Sequence, residues 1–227
     1  MVASVVIDFD GTVTLEDTTD LLLERFADPV WRKIEEDWIA GRIGSRECLA
    51  RQIDLVRATR ADFEALADTV PVDPAFADFV AAGCELGLHM VIASDGFEPL
   101  ISRVLARIGI KLPVRSNRLI AGAANRWRAE FPHYLGDCRS QSGNCKCALF
   151  NLRPTVMVGD GRSDFCAAPQ AALVLAKKSL AMYCRDAAIE HVAIEGFADA
   201  TRALRAFCKA QDRTAAATAR ENGALHA

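Results

Sequence analysis

The chain predicts an α/β fold, a doubly wound parallel sheet with an inserted helical cap, and three observations carry that reading. Short, β-branched apolar runs without polar alternation occur at residues 2–8, 88–93 and 155–158, as expected of strands buried on both faces of a sheet. Segments of helical periodicity separate and follow these runs, the alternation from which parallel sheets are built. The stretch between the first two runs, residues 14–86, is almost entirely helical and far longer than one crossover helix, so it predicts an insert.

Within the insert, Leu21, Leu22, Arg25 and Phe26 begin one helical stripe, and Trp31, Ile34, Glu35 and Trp38 continue the spacing. Gly41 and Gly44 interrupt it, Ser45 is a candidate N-cap for the next helix, and Pro71 and Pro74 punctuate its end before a helix at 74–86. Trp31 and Trp38 are expected to be cap core. After the second apolar run, a helix is predicted over 98–108, stopped by Gly109. Residues 113–131 read as short antiparallel strands with a turn at Gly122 and Asn125. A polar loop leads to a short helix at 144–151. The third run is followed by a helix near 163–168, a strand at 172–175, a helix at 178–185, a strand at 191–194 and a helix at 197–209. The core is thus expected in 1–13 and 87–209 and the cap in 14–86. Residues 210–227 are alanine-rich without a core stripe and predict a frayed tail.

Composition narrows the function. Hydrophobic residues make up 51% of the 227 and charged ones 25%, the balance of a globular domain. A net charge of -3 leaves no basic footprint for nucleic acid. No stretch has transmembrane length, and the N-terminus lacks a signal peptide's order of basic, apolar and small residues. A cytoplasmic protein that binds neither membrane nor nucleic acid is expected. A small anionic substrate stays compatible, because a metal ion and a few donors reverse the field inside one cleft.

Three of the predicted strands end in carboxylates: Asp8 with Asp10, then Asp95, then Asp160 with Asp164. Ligands of open parallel sheets bind at the carboxyl ends of the strands. An Asp or Gly at any one end is an ordinary turn residue. Acids at all three ends, each beside a glycine, point to one site, and gathered carboxylates call for a hard cation such as magnesium.

Four runs together carry a resemblance. They are Asp8-Phe9-Asp10-Gly11-Thr12-Val13-Thr14, Ser94-Asp95-Gly96, Lys146 at a helix start, and Gly159-Asp160-Gly161-Arg162-Ser163-Asp164. In this order and spacing they resemble the haloacid dehalogenase superfamily of aspartate-nucleophile phosphohydrolases, over residues 2–209. The resemblance implies a Rossmann-like core and a magnesium-dependent phosphatase acting on a small phosphorylated molecule. It makes Asp8 the nucleophile, Asp10 the general acid and base, and Lys146 the cation that steadies transition-state charge. Ser94, with the backbone around Asp95 and Gly96, would hold the phosphoryl group. The metal would lie on Asp8, Asp160 and the backbone carbonyl of Asp10, with Asp164 orienting Lys146 or a metal-bound water, and Thr12 would steady the loop. An acid at Asp10 favours phosphate chemistry over the family's carbon–halogen and phosphonate branches. A phosphomutase or phosphotransferase, and a non-catalytic phosphate- or metal-binding regulator, are the competing readings.

The insert is similar to the cap of the phosphoserine-phosphatase-like branch. There Asp17 stands where a glutamate meets the substrate ammonium, and Arg46, with Arg42, could offer the cap a cation. Gly41 to Ser45, the Asn117 strand and Phe131-Pro132-His133 through Cys145-Lys146 are similar to phosphatases of methionine salvage.

Eight cysteines in a chain read as cytoplasmic are expected to stay reduced. His133, Cys138, Cys145 and Cys147 form a set of zinc-ligand type within one loop. They lack a Cys-x2-Cys pair, so thiols packed against the core are the favoured expectation and a structural zinc the alternative.

Overall fold

The structure is a computed structural model describing residues 4–150 and 154–224, with side chains through Thr214. Those parts of the predicted first strand, short helix and tail that fall on 2–3, 151 and 225–227 lie outside the described residues. A seven-stranded sheet organises the chain: β1 (Ser4–Ile7), β2 (His89–Phe97), β3 (Val114–Ala121), β4 (Trp127–Glu130), β5 (Thr155–Gly159), β6 (Leu173–Ala176) and β7 (His191–Ala193). Their order is β4-β3-β2-β1-β5-β6-β7, and every pairing is parallel except the β3–β4 hairpin. The central strand β1 pairs Ile7 with Ile92 on one side and with Val158 on the other. The chain runs outward through β2 and β3, then returns to β5 on the other flank of β1. That reversal opens a crevice at the carboxyl edge, beside Asp8.

Eight α-helices accompany the sheet among the described residues: α1 (Thr18–Phe26), α2 (Trp31–Ile39), α3 (Ser45–Ile53), α4 (Arg60–Thr69), α5 (Phe76–Glu85), α6 (Glu98–Arg107), α7 (Lys178–Asp186) and α8 (Phe197–Ala224). The two-residue period of β1 divides the core. Val5 and Ile7 join a cluster that runs through Phe9, Leu22, Ile53, Phe63 and Phe79, whereas Val6 packs with Met157, Val174 and Leu180 on the opposite face. The first cluster passes from the sheet into the insert without a break. Full burial of such side chains contributes about 1.5–3 kcal/mol each, so apolar packing is the main bond between insert and sheet. The Arg103–Asp68 pair between α6 and α4 is exposed and adds little. Trp127 of the hairpin packs on Phe63 at 4.7 Å and donates its indole N–H to the Ala58 carbonyl at 2.7 Å.

Several elements depart from expectation. Helix α5 lies within the predicted cap, yet its Phe76 and Phe79 pack on Phe197 of α8 at 4.8 and 4.9 Å. It is the crossover helix that returns the chain to the sheet, so the overhanging part is α1 to α4. Gly44, not Ser45, is the N-cap of α3. The short helix at 144–151 is a 3-10 turn at Lys146–Leu149, and the one near 163–168 is a pair of such turns at Arg162–Asp164 and Ala168–Gln170. Asp164 turns back on the N–H groups of Asp160 and Gly161, and Pro169 has no N–H to give, so no longer helix develops there. The expected tail is helical to Ala224, because its alanines favour a helix even without a core stripe. No helix among the described residues is long and apolar enough to cross a membrane.

Candidate active site

The loop after β1 is wound tightly around one atom. The N–H groups of Thr12, Val13 and Thr14 all reach the Phe9 carbonyl, at 3.2, 2.8 and 3.1 Å. Gly11 takes a positive φ of 69°, and a Cβ there would stand 2.3 Å from Asp160 Oδ2, so only glycine fits. Thr14 steadies the loop, its hydroxyl accepting from Gly11 N–H and within donating distance of two carbonyls, Glu16 at 2.7 Å and Phe9 at 3.2 Å. The expected helper, Thr12, has a buried hydroxyl without a partner.

Asp8 continues the ladder by donating its N–H to the Val158 carbonyl at 2.9 Å. Its carboxylate, 5% exposed, meets Lys146 Nζ at 2.7 Å, and the same ammonium meets Asp164 Oδ1 at 2.5 Å. Burial, reinforced by Asp164, pushes the Asp8 carboxyl well above the usual carboxylate range, and Lys146 pulls against it. Burial works against the charge of Lys146, but Asp164 and Asp8 outweigh it and hold the ammonium protonated. Asp164 spends its other oxygen on the N–H groups of Asp160 and Gly161, at 3.2 and 3.3 Å. With both oxygens engaged, it is built to orient its neighbours.

Asp10 faces elsewhere. One carboxylate oxygen accepts from the N–H and hydroxyl of Thr18, at 2.8 and 2.6 Å, and the other from the Ser94 hydroxyl at 3.1 Å. Burial raises its pKa, and the Thr18 bonds oppose the shift. Ser94 Oγ in turn accepts from Gly96 N–H at 2.8 Å. A Cβ at Gly96 would stand 2.3 Å from Asp10, so the two strand ends approach this closely only over glycine.

Asp8, Asp160 and Asp164 each place an oxygen within 4.8 Å of the others. An all-oxygen set carrying more negative than positive charge suits a hard divalent cation. The Asp10 carboxylate is outside that group, which leaves only its backbone carbonyl for a metal.

Above this floor lies a cleft of about 240 Å³, roofed by α1, α2 and α3. Asp17, Asp20, Glu35, Trp38, Leu49 and Gln52 face it from the roof. Asp17 caps α1, its Oδ1 accepting from Thr19 and Asp20 N–H, so one oxygen is already committed. Asp95 lines the cleft, but its carboxylate is occupied by the Ser45 hydroxyl and Asn144 N–H, both at 2.6 Å. It is thus a post that ties roof to floor more than a free phosphate ligand. Arg46 is misplaced in the prediction: its guanidinium stacks on Tyr134 at 4.3 Å, and it does not line the cleft. Arg42 pairs with Asp37 at the surface. Trp38, expected in the cap core, borders the cleft under Arg162, whose guanidinium lies 5.3 Å from its ring and bonds the Ile39 carbonyl.

Lys178 escaped the prediction. It reaches Asp160 Oδ2 at 3.0 Å from the residues just after β6, a fourth parallel strand, so the rule that found the acids at strand ends covers it as well. Glu35, which accepts from Gln52 at 2.8 Å, gives no such signal, since charge on a helix ordinarily faces solvent.

A model of the haloacid dehalogenase-like hydrolase family matches residues 5–169. This chain belongs to that family. The chain is 27% identical over 210 residues to the 2-hydroxy-3-keto-5-methylthiopentenyl-1-phosphate phosphatase of Geobacillus kaustophilus, covering 87% of this chain and 93% of that protein. It is likewise 27% identical over 212 residues to Pdp3-interacting factor 1 of Schizosaccharomyces pombe, with 87% and 93% covered. A substrate-bound phosphoserine phosphatase complex superposes with a TM-score of 0.68 at 17% identity, over 88% of this chain and 96% of that one. A probable phosphoserine phosphatase from Vibrio cholerae gives 0.68 at 19% identity, over 93% and 66%. At such identities the likeness is one of fold. This member of the family is an enzyme, a hydrolase of the phosphatase type.

Proposed function

We propose that the chain is a magnesium-dependent phosphatase that hydrolyses a small-molecule phosphate monoester through an aspartyl-phosphate on Asp8. The observation that carries this is the contrast between two carboxylates two residues apart. Asp8 is paired with an ammonium that favours its anion against the pull of burial, whereas Asp10 is half-buried, has no cation partner among the described residues and is bound to hydroxyls. One is suited to attack phosphorus and the other to carry a proton.

In the first step an Asp8 oxygen bonds to phosphorus, the ester P–O bond breaks, and Asp10 protonates the departing oxygen. In the second, water attacks the phosphorus of the aspartyl-phosphate while Asp10 takes its proton, which releases inorganic phosphate and restores Asp8. Asp8, Asp160 and the Asp10 carbonyl would hold magnesium, which supplies charge neutralisation between anionic nucleophile and anionic substrate. Lys146 keeps Asp8 in place and offsets charge building on the phosphoryl oxygens.

The roof bears on the substrate. Trp38 and Leu49 offer an apolar wall, while Asp20 and Glu35 offer acceptors for hydroxyl groups. A short apolar tail beside polar oxygens fits the methylthiopentenyl phosphate named for the bacterial relatives better than phosphoserine, since Asp17 is partly spent as a helix cap. We place the enzyme in the cytoplasm, where its thiols stay reduced.

Phosphate release from an aryl phosphate should require magnesium and fall by at least about 10⁴-fold in Asp8→Asn. Retained activity in that variant would remove Asp8 as nucleophile. Comparing kcat/KM for the methylthiopentenyl compound and phosphoserine then tests the substrate, and a preference for phosphoserine would overturn this part of the reading.

A further inference from the structure

We propose that Cys138, Cys145, Cys147 and Cys166 form a structural zinc site that anchors Lys146. The four thiols converge from two segments of chain. The Sγ atoms of Cys138, Cys145 and Cys166 lie within 4.8 Å of one another, with 4.0 Å between Cys138 and Cys166. Cys147 lies 3.4 Å from Cys166 but outside the set whose Sγ atoms all fall within 4.8 Å, so its side chain would swing in as the fourth ligand. Thiolates held 2.3 Å from a tetrahedral zinc stand about 3.8 Å apart, so Cys138, Cys145 and Cys166 already approximate three corners of the coordination shell. Cysteines that merely fill a core turn to apolar neighbours, as Cys184 does against Leu180 and Val174. These four turn to each other. Cys138 and Cys145 are buried, while Cys147 and Cys166 are half-buried, so the site is closed on one side and reachable by an ion on the other.

The loop is in need of such a tie. Residues 131–145 contain no helix or strand, yet Ser142 and Asn144 are fully buried within it. His133, the imidazole expected in the set, contributes its backbone carbonyl to Cys145 N–H, and its ring is not part of the thiol group. Cys166 takes its place from beyond β5, at a distance in sequence that no spacing rule covers. Lys146 sits between two of the ligands, and Asp164, its partner at 2.5 Å, lies two residues before a third. Zinc displaces the thiol protons to solvent and requires no oxidant. A tetrathiolate site would therefore lock the Lys146 loop to the Asp164 turn, with its thiols outside the lining of the cleft.

The test is metal analysis of the purified full-length chain. About one zinc per chain is expected, retained in Asp160→Asn, which breaks the oxygen cluster, and lost in Cys138→Ser and Cys166→Ser. Cobalt exchanged into the parent should show thiolate-to-cobalt charge transfer and the strong ligand-field bands of a tetrahedral site, absent from both serine variants and unchanged in Cys84→Ser. Should the serine variants fail to fold, chelating zinc from the parent is the second arm, with faster proteolysis within 134–144 expected at retained far-UV helicity. A parent that holds neither zinc nor cobalt on its thiols overturns the proposal. So does a Cys147–Cys166 disulfide found by mass spectrometry, or iron with inorganic sulfide in place of zinc.

Discussion

The floor of the cleft and its roof are built on opposite plans. On the floor, Asp8, Ser94, Lys146 and Asp164 are buried and Asp10 half-buried, and they interlock through the Asp8–Lys146–Asp164 and Asp10–Ser94 contacts. On the roof, Asp20, Glu35, Trp38 and Gln52 come from helices whose polar links to the floor include the Ser45–Asp95 bond and the Arg162 bond to the Ile39 carbonyl. Placing chemistry on interlocked strand ends and recognition on overhanging helices lets substrate choice vary while the reacting groups stay fixed.

Breaking the floor should cost most. In Asp10→Asn, kcat should fall by about 10²–10⁴-fold. The loss should be larger for an alkyl than for an aryl phosphate, because the poorer leaving oxygen depends more on the proton; equal losses would argue against Asp10 as the acid. Lys146→Ala should lower kcat by about 10²–10³-fold. It should also cost about 3–5 kcal/mol in denaturant unfolding without added metal, since Asp8 and Asp164 lose their buried counter-ion. An inactive but fully stable variant would show that Lys146 serves chemistry alone.

Changes to the roof should be milder and should separate KM from kcat. Ser45→Ala removes the bond to Asp95 and should raise KM for the natural substrate roughly three- to tenfold, with kcat near the parent value. An equal fall in kcat would place Ser45 with the floor. The smallest effect concerns Asp20, whose pKa is pushed up to about 6 by burial and by Glu35. With a folded-state pKa above the ordinary 3.8, the folded protein binds more protons than the unfolded chain between about pH 4 and 6, so stability falls as pH rises through that window. Asp20→Asn should flatten this fall and raise Tm slightly at pH 7, the gain held small because Asp20 is exposed to screening water, as thermal melts from pH 4 to 7 would measure.

The same contrast separates what could be read in the linear chain from what could not. Asp8, Asp10 and Asp160 were legible because each lies within a few residues of a buried strand's end, where local sequence places a side chain at the carboxyl edge, and Ser94 was legible through the family resemblance. Lys178 obeys the same rule at β6. Arg46 went astray because position on a helix does not reveal which way the helix faces, and its guanidinium found Tyr134 in place of the cleft. Trp38, expected in the cap core, borders the cleft for the same reason. The extent of the insert was overdrawn at α5, whose aromatic side chains look alike whether they pack in a cap or against α8.

By itself, then, the sequence determined the alternation of strands and helices, the family, and the carboxylates gathered at one sheet edge, all written in runs of fewer than ten residues. Only the tertiary structure decided that Asp10 turns to Thr18 and Ser94 while Asp8 turns to Lys146, that Asp95 ties the roof down, and that Cys166 joins Cys138 and Cys145. These pairings join residues up to 138 positions apart, as with Asp8 and Lys146. They depend on how the helices and loops pack over the sheet, and no local pattern of residues encodes that packing.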